Sequence, residues 1–313
     1  YYNYSNPNFM LAGLVAERAS GVPYRDLFKQ NLWEPAGMHD TTFEPQEVIN
    51  GDNYALGHTW DPGSQREYTI GPRDSDYWAV GPAGMAFSNV GDLARWALLL
   101  MDGGAPILSQ RSTATMQHPH QTLHLTPDRF YGYGIFIEEY RGLDVRQHGG
   151  NVTGFGTYLL WVPERRFVVA LVTNVDQSLY EAAYCIVNRT LDPPLVPAPD
   201  LTTDPASWKR YEGDYLTTEA DGTQYEGTVY LSDGQLFIRG DNPDNPGEEV
   251  TARLYQAFLD TFVFDGNGDG EPNVDVTFCE RSGDPGFTMW LRNRYAVSEK
   301  KLLPHSGVRT ASP

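Results

Sequence analysis

Two short groupings combine side chains able to move protons with backbone that a ligand can reach. Tyr4-Ser5-Asn6 stands just ahead of Pro7 and of Met10, Leu11, Leu14 and Val15 at helical spacing. A phenol, a hydroxyl and an amide at a helix start face whatever meets the unpaired N–H groups there. The same residues also suit a plain N-cap, with Pro7 in the first turn. In His148-Gly149-Gly150 an imidazole that titrates near neutrality precedes two residues with no side chain to keep a ligand off the backbone. A glycine bulge beside a core strand is the plainer reading of that trio. Asp265-Gly266-Asn267-Gly268-Asp269-Gly270 imitates the opening of a calcium loop, with oxygens from Asp265, Asn267 and Asp269, but the twelfth position is Val276 rather than Glu. A hairpin turn is the plainer reading, and a weak calcium site the other. His118, His120 and His124 lie beside Pro119 and Pro127 with no carboxylate at ligand spacing, which favours a loop over a cleft above a metal centre. No cofactor is called for.

These residues need a scaffold, and the hydrophobic periods outline one. Ser5-Asn6-Pro7 opens a helix that Gly21 closes, and Tyr24 to Glu34 reads as a second, stopped by Pro35 and Gly37. Ser88 caps a third, with Leu93, Trp96, Ala97 and Leu100 on one face and Gly103-Gly104 at its end. Strands are expected over Tyr131 to Ile137, Thr157 to Val162 and Phe167 to Thr173, the last two joined by the turn Pro163 to Arg166. Leu179 to Leu191 returns as a helix whose apolar character makes Cys185 a buried thiol. The pattern is an α/β chain of the α+β type, an antiparallel sheet flanked by helices over residues 1–191. Proline-rich residues 192–207 read as a linker. Residues 208–303 then carry short strands with Gly/Asp/Asn turns, at Gly227 to Leu231, Gln235 to Arg239, Thr251 to Tyr255, Thr261 to Phe264, Val274 to Phe278 and Phe287 to Arg292. That spacing implies an antiparallel β-barrel domain, followed by a tail over 304–313.

Composition narrows the functional classes. With 40% hydrophobic residues the chain can build a core, and with 23 basic against 41 acidic residues its net charge is −18. Such a surface repels phosphate backbones, so nucleic acid is not an expected partner. No apolar run reaches the roughly 20 residues that span a bilayer. Two cysteines, Cys185 and Cys279, cannot form a disulfide framework.

Taken together, and in this order, several segments resemble the serine β-lactamase and penicillin-binding-protein-like family, in its class C, D-aminopeptidase and esterase branch. They are Tyr4-Ser5-Asn6, Leu14 to Gly21, Pro35-Ala36-Gly37-Met38, Gly84 to Ser88 with Asp92 to Arg95, His148-Gly149-Gly150, and Val172-Thr173-Asn174. The segment from Tyr211-Glu212-Gly213-Asp214-Tyr215 is similar to the lipocalin-like domain often appended there. The family carries S-x-x-K, then Y-x-N, then K-T-G or H-x-G. Tyr4 and Asn6 match the second motif, and His148, Gly149 and Gly150 the third. S-x-x-K is missing. Lysines occur only at 29, 209, 300 and 301, and the one serine at the right offset, Ser298 before Lys301, is expected in a charged tail after the barrel strands, on the wrong side of Tyr4.

The resemblance implies roles. Tyr4 would act as general base and later proton donor, while Asn6 would bond the missing lysine or the substrate amide. His148 would steer a substrate carboxylate or the tyrosine proton. The Asn151 N–H would form an oxyanion hole with that of the absent serine, and Gly149 and Gly150 would keep the substrate edge open. Replacing Lys and Thr of K-T-G by His and Gly weakens β-lactam turnover and favours an esterase or peptidase. Because S-x-x-K precedes Y-x-N in the family, the expectation is a two-chain enzyme processed before Tyr1, the partner fragment carrying the serine and lysine. An ordinary nick is the alternative. Trp60, Tyr68, Tyr77 and Trp78 hint at an apolar or aromatic substrate group. The reading is therefore a periplasmic or secreted serine hydrolase, with a non-catalytic binding protein as its rival.

Overall fold

The computed structural model describes residues 2, 4–61, 63, 65–123, 129–194, 204–219, 222–241, 248–258, 260–264, 274–280, 287–292 and 296–300. Tyr1, His124, the loop holding Asp265, Asn267 and Asp269, most of the expected linker and the 304–313 tail lie outside them. The chain divides into two compact units, the first running to Val196 and the second from Pro197.

Helix α1 (Asn6–Ser20) starts where Pro7 fits the first turn and ends at Gly21, whose φ of 71° is open to glycine at little cost. It buries only Gly13, which meets Pro82; Leu11 and Val15 remain 59% and 65% exposed. The expected second helix is α2 (Tyr24–Phe28) continued by a π-turn over Lys29–Trp33. It supplies Tyr24 and Trp33 to an aromatic cluster with Met38 and Phe43. There follow α3 (Pro45–Gly51), the hairpin β1 (Gly57–Asp61) and β2 (Arg66–Ile70), and α4 (Val90–Met101). The cap of α4 is Asn89 rather than Ser88, its side chain accepting from the Asp92 N–H. Ser88 instead shares a 2.8 Å hydrogen bond with Thr41.

Then come α5 (Gln110–Met116), β3 (Gln121–Thr122), β4 (Arg129–Tyr131), β5 (Phe136–Tyr140), β6 (Leu143–Val152), β7 (Phe155–Val162), β8 (Phe167–Thr173) and α6 (Tyr180–Leu191). The six strands form one antiparallel sheet in sequence order. Alternation along β7 sets its two faces: Tyr158, Leu160 and Val162 join the core under α6, while Leu159 and Trp161 join the core under α4. On α6 the buried residues are Ala183, Tyr184 and Val187. Cys185 follows Tyr184 by about 100° of helical rotation and is exposed, correcting the buried-thiol expectation.

Two strand expectations also change. Tyr131 to Ile137 is not one strand, because Gly132 to Ile135 form a turn closed by the Gly132 N–H donating to the Ile135 carbonyl at 2.8 Å. Gly134 there has φ 76°, and a Cβ on Gly132 would stand 2.4 Å from the Met116 carbonyl. His148-Gly149-Gly150 does not precede a strand but lies within β6, whose polar sequence hid it.

The second unit opens with a 3-10 turn (Pro205–Tyr211) and eight strands: β9 (Gly213–Glu219), β10 (Gln224–Ser232), β11 (Gln235–Asp241), β12 (Glu249–Phe258), β13 (Thr261–Phe264), β14 (Val274–Glu280), β15 (Phe287–Arg292) and β16 (Ala296–Lys300). Neighbours pair antiparallel and β16 pairs back onto β9, closing the sheet. Tyr215, Val229, Leu236, Leu254, Phe262, Val276 and Phe278 fill a core against Tyr211, which the Tyr215 hydroxyl bonds through its carbonyl at 2.7 Å. Ser298 belongs to β16, paired with Thr217 and Met289, and not to a tail beyond the strands.

Asp92 ties the first unit together. It is fully buried, accepts from the Asp40 N–H and the Thr41 hydroxyl, and pairs with Arg95 at 2.6 Å. Removing this buried carboxylate takes the acceptor from the Asp40 N–H and the Thr41 hydroxyl, while Arg95, more than half exposed, can turn to water. Asp92→Ala is expected to cost about 2 kcal/mol and to lower the fluorescence-detected melting temperature of the chain by several degrees. An unchanged melt would contradict the assigned role.

Candidate active site

Strand β5 reaches only as far as Phe136, opposite Gln147. Past that point β6 is paired on one side alone, by β7 through Val152 opposite Phe155. Among the described residues, the backbone from His148 to Val152 thus presents an edge with no strand beside it. At Gly149 and Gly150 space is tight, and neither has a positive φ. A Cβ on Gly149 would stand 3.0 Å from the Tyr158 ring, and one on Gly150 would stand 2.7 Å from the Thr157 hydroxyl.

Tyr4 comes to this edge from the start of α1. Ser5 has extended geometry (φ −143°, ψ 103°) and makes no side-chain cap bond, so capping does not explain the residue. The Tyr4 ring lies 6.1 Å from that of His148 and 6.5 Å from that of Tyr131. Tyr131, at the end of β4, places its hydroxyl 3.3 Å from His148 Nε2. His148 Nδ1 stands 2.6 Å from the Gly149 carbonyl. Phe136 packs 5.2 Å from His148 and 4.7 Å from Tyr131, with Tyr2 5.0 Å from Tyr131.

Burial governs the protonation of this group. It pushes the Tyr4 phenol up. Tyr131 is pushed up strongly by burial, and further by Tyr4. His148 is held below its ordinary value by burial, partly opposed by the Gly149 carbonyl. At neutral pH the cluster is two phenols and a neutral imidazole.

Other sequence candidates fall around this core or outside it. Asn6 begins α1 exposed, and no hydrogen bond among the described residues joins it to Tyr4 or His148. Asn151 lies on the open edge, its amide 3.4 Å from Asp176. His120 is committed elsewhere: its Nε2 stands 2.7 Å from the Thr115 carbonyl and its ring stacks on Tyr133. Trp60 and Tyr68 sit on the β1–β2 hairpin, which Asn174 anchors beside the end of β8 by accepting from the His58 N–H and donating to the Leu56 carbonyl. Gly57 of that hairpin abuts Phe155, at the same corner as Asn151. Tyr77 and Trp78 are more than half exposed, and the Trp78 carbonyl accepts from the Tyr24 hydroxyl. Sequence reasoning took Tyr131 for an ordinary strand residue. The signal it missed was the two glycines in Tyr131-Gly132-Tyr133-Gly134, which break the strand and leave Tyr131 at its end.

In the first unit an antiparallel sheet flanked by helices brings Tyr4 and His148-Gly149-Gly150 together at one strand edge. Residues 1–191 match the family model described as Beta-lactamase, and the chain belongs to that family. It is 28% identical over 214 residues to the unguisins hydrolase ungD' of Aspergillus campestris, covering 66% of this chain and 39% of that protein. A D-aminopeptidase of Cereibacter sphaeroides is 26% identical over 200 residues, covering 61% and 35% respectively. The chain thus spans well under half of these curated relatives. An octameric penicillin-binding protein homologue from Pyrococcus abyssi shares the fold with TM-score 0.57 and 21% identity, covering 96% of this chain and 65% of that one.

The lowered His148 value has a thermodynamic sign. The unfolded chain protonates this histidine first as pH falls, so the stability it allows is complete above about pH 6.5 and is lost as pH drops toward the folded value. In thermal melts from pH 8 to pH 5, wild type is expected to lose stability faster than His148→Gln below pH 6.5. Parallel profiles would show that His148 is not buried neutral.

Proposed function

We propose that this chain forms the tyrosine–histidine half of a serine acyl-transfer site acting on esters or D-amino-acid-containing amides. The observation that carries the reading is Tyr4 at 6.1 Å from His148, beside an unpaired edge of β6. An extended, amide-like substrate fits such an edge because its backbone groups can take the place of a strand. The matched D-aminopeptidase supports the substrate class.

In this reading the nucleophile is the serine of an S-x-x-K motif supplied by polypeptide outside these 313 residues, either continuous with them or as a separate fragment ending before Tyr1. The motif's lysine provides the positive charge that Tyr4 lacks, lowering the phenol toward a useful range. The serine hydroxyl bonds to the substrate carbonyl carbon while its proton passes to Tyr4. The oxyanion is held by the serine and Asn151 N–H groups. The carbon–leaving-group bond then breaks, and Tyr4 returns the proton to the departing amine or alcohol. Water repeats the sequence on the acyl-enzyme, regenerating the serine. Asn6 bonds the lysine or the substrate amide, and the acidic surface suits a periplasmic or secreted setting.

The protein isolated from its native source, treated with a fluorophosphonate and examined by denaturing intact-mass spectrometry, tests this. The probe's mass is expected on a serine outside residues 1–313. In the active material Tyr4→Phe is expected to lower kcat/KM about 10²- to 10⁴-fold toward D-amino-acid amides. Material that takes up no probe and hydrolyses neither esters nor D-amino-acid amides would instead be a non-catalytic binding protein.

A further inference from the structure

Both ring nitrogens of His148 have partners, and their chemistry fixes the proton. The Gly149 carbonyl, 2.6 Å from Nδ1, can only accept, so Nδ1 carries the hydrogen. In a neutral imidazole Nε2 is then an acceptor, and the Tyr131 hydroxyl at 3.3 Å is its donor. We infer that Tyr131 is a positioning residue: it holds His148 as the Nδ1–H tautomer with Nε2 occupied, so that this position offers a substrate neither a cation nor a free base.

The surroundings agree. Burial makes Tyr131 keep its proton and His148 refuse one, which matches donor to acceptor. Phe136 packs against both rings. Two residues before Tyr131, Arg129 pairs at 2.5 Å with the buried Glu138, two residues after Phe136, and donates to the Tyr180 hydroxyl at 2.7 Å. This cross-strand pair fixes β4 on β5 in the register that sets Tyr131 opposite Phe136.

The consequence for substrate choice rests on the proposed hydrolase reading. A carboxylate beside the scissile bond gains no ionic partner from His148, so substrates uncharged at that point are favoured. The tautomer itself does not depend on hydrolysis. It is read from imidazole nitrogen NMR of the histidine-labelled 313-residue chain at pH 7.

Wild type is expected to show His148 as Nδ1–H with a hydrogen-bonded Nε2. In Tyr131→Phe, Nδ1–H is expected to remain while the Nε2 resonance moves to that of an unbonded nitrogen. An Nε2–H tautomer in wild type would overturn the inference without any variant. So would an unmoved Nε2 in a Tyr131→Phe protein whose circular dichroism is native. The hydrolase reading fails separately, through the absence of a labelled serine, whatever the tautomer.

Discussion

The site depends on where one strand stops. β5 ends at Phe136 because the next residues back toward β4 form a tight turn, with Gly134 in the left-handed region and Gly132 against the Met116 carbonyl. Had β5 continued, its backbone would cover β6 beyond Gln147 and satisfy the groups a substrate would use. The turn that ends β5 also ends β4, and this brings the Tyr131 hydroxyl to His148. One piece of glycine-dependent geometry therefore opens the edge and supplies the ring partner beside it.

Around that point the fold is stiff. β7 is buried on both faces, under α6 and under α4, which holds β6 against movement. The Arg129–Glu138 pair is costly to bury, and its return is register: a slip of β4 by one residue would turn Tyr131 to the opposite face. Tyr4 is held less tightly, half-exposed ahead of a helix that buries a single glycine. The firm part of the site is the sheet, and the less enclosed part is the tyrosine.

Much of this was legible in the residues. The caps and apolar periods located α1, α4, α6 and β8 closely, because local propensity and burial agree there. Tyr4 and His148 stand out through the family resemblance, whose motifs say which side chains meet but not how far apart. β6 was missed because Asp144, Arg146, Gln147, His148 and two glycines give no alternating apolar pattern; its pairing comes from neighbours on both sides. Tyr131 was missed because its role depends on a turn three residues on. Cys185 was placed wrongly because a short apolar helix does not reveal which stripe faces the sheet.

The central claim, that the edge from His148 to Val152 beside Tyr4 receives an amide-like substrate, is tested most directly by titrating isotope-labelled protein with D-phenylalanine amide while following backbone amide resonances. The account requires the largest shifts at Gly149, Gly150, Asn151 and Val152. Shifts confined to α6, or no saturable change along β6, would contradict it.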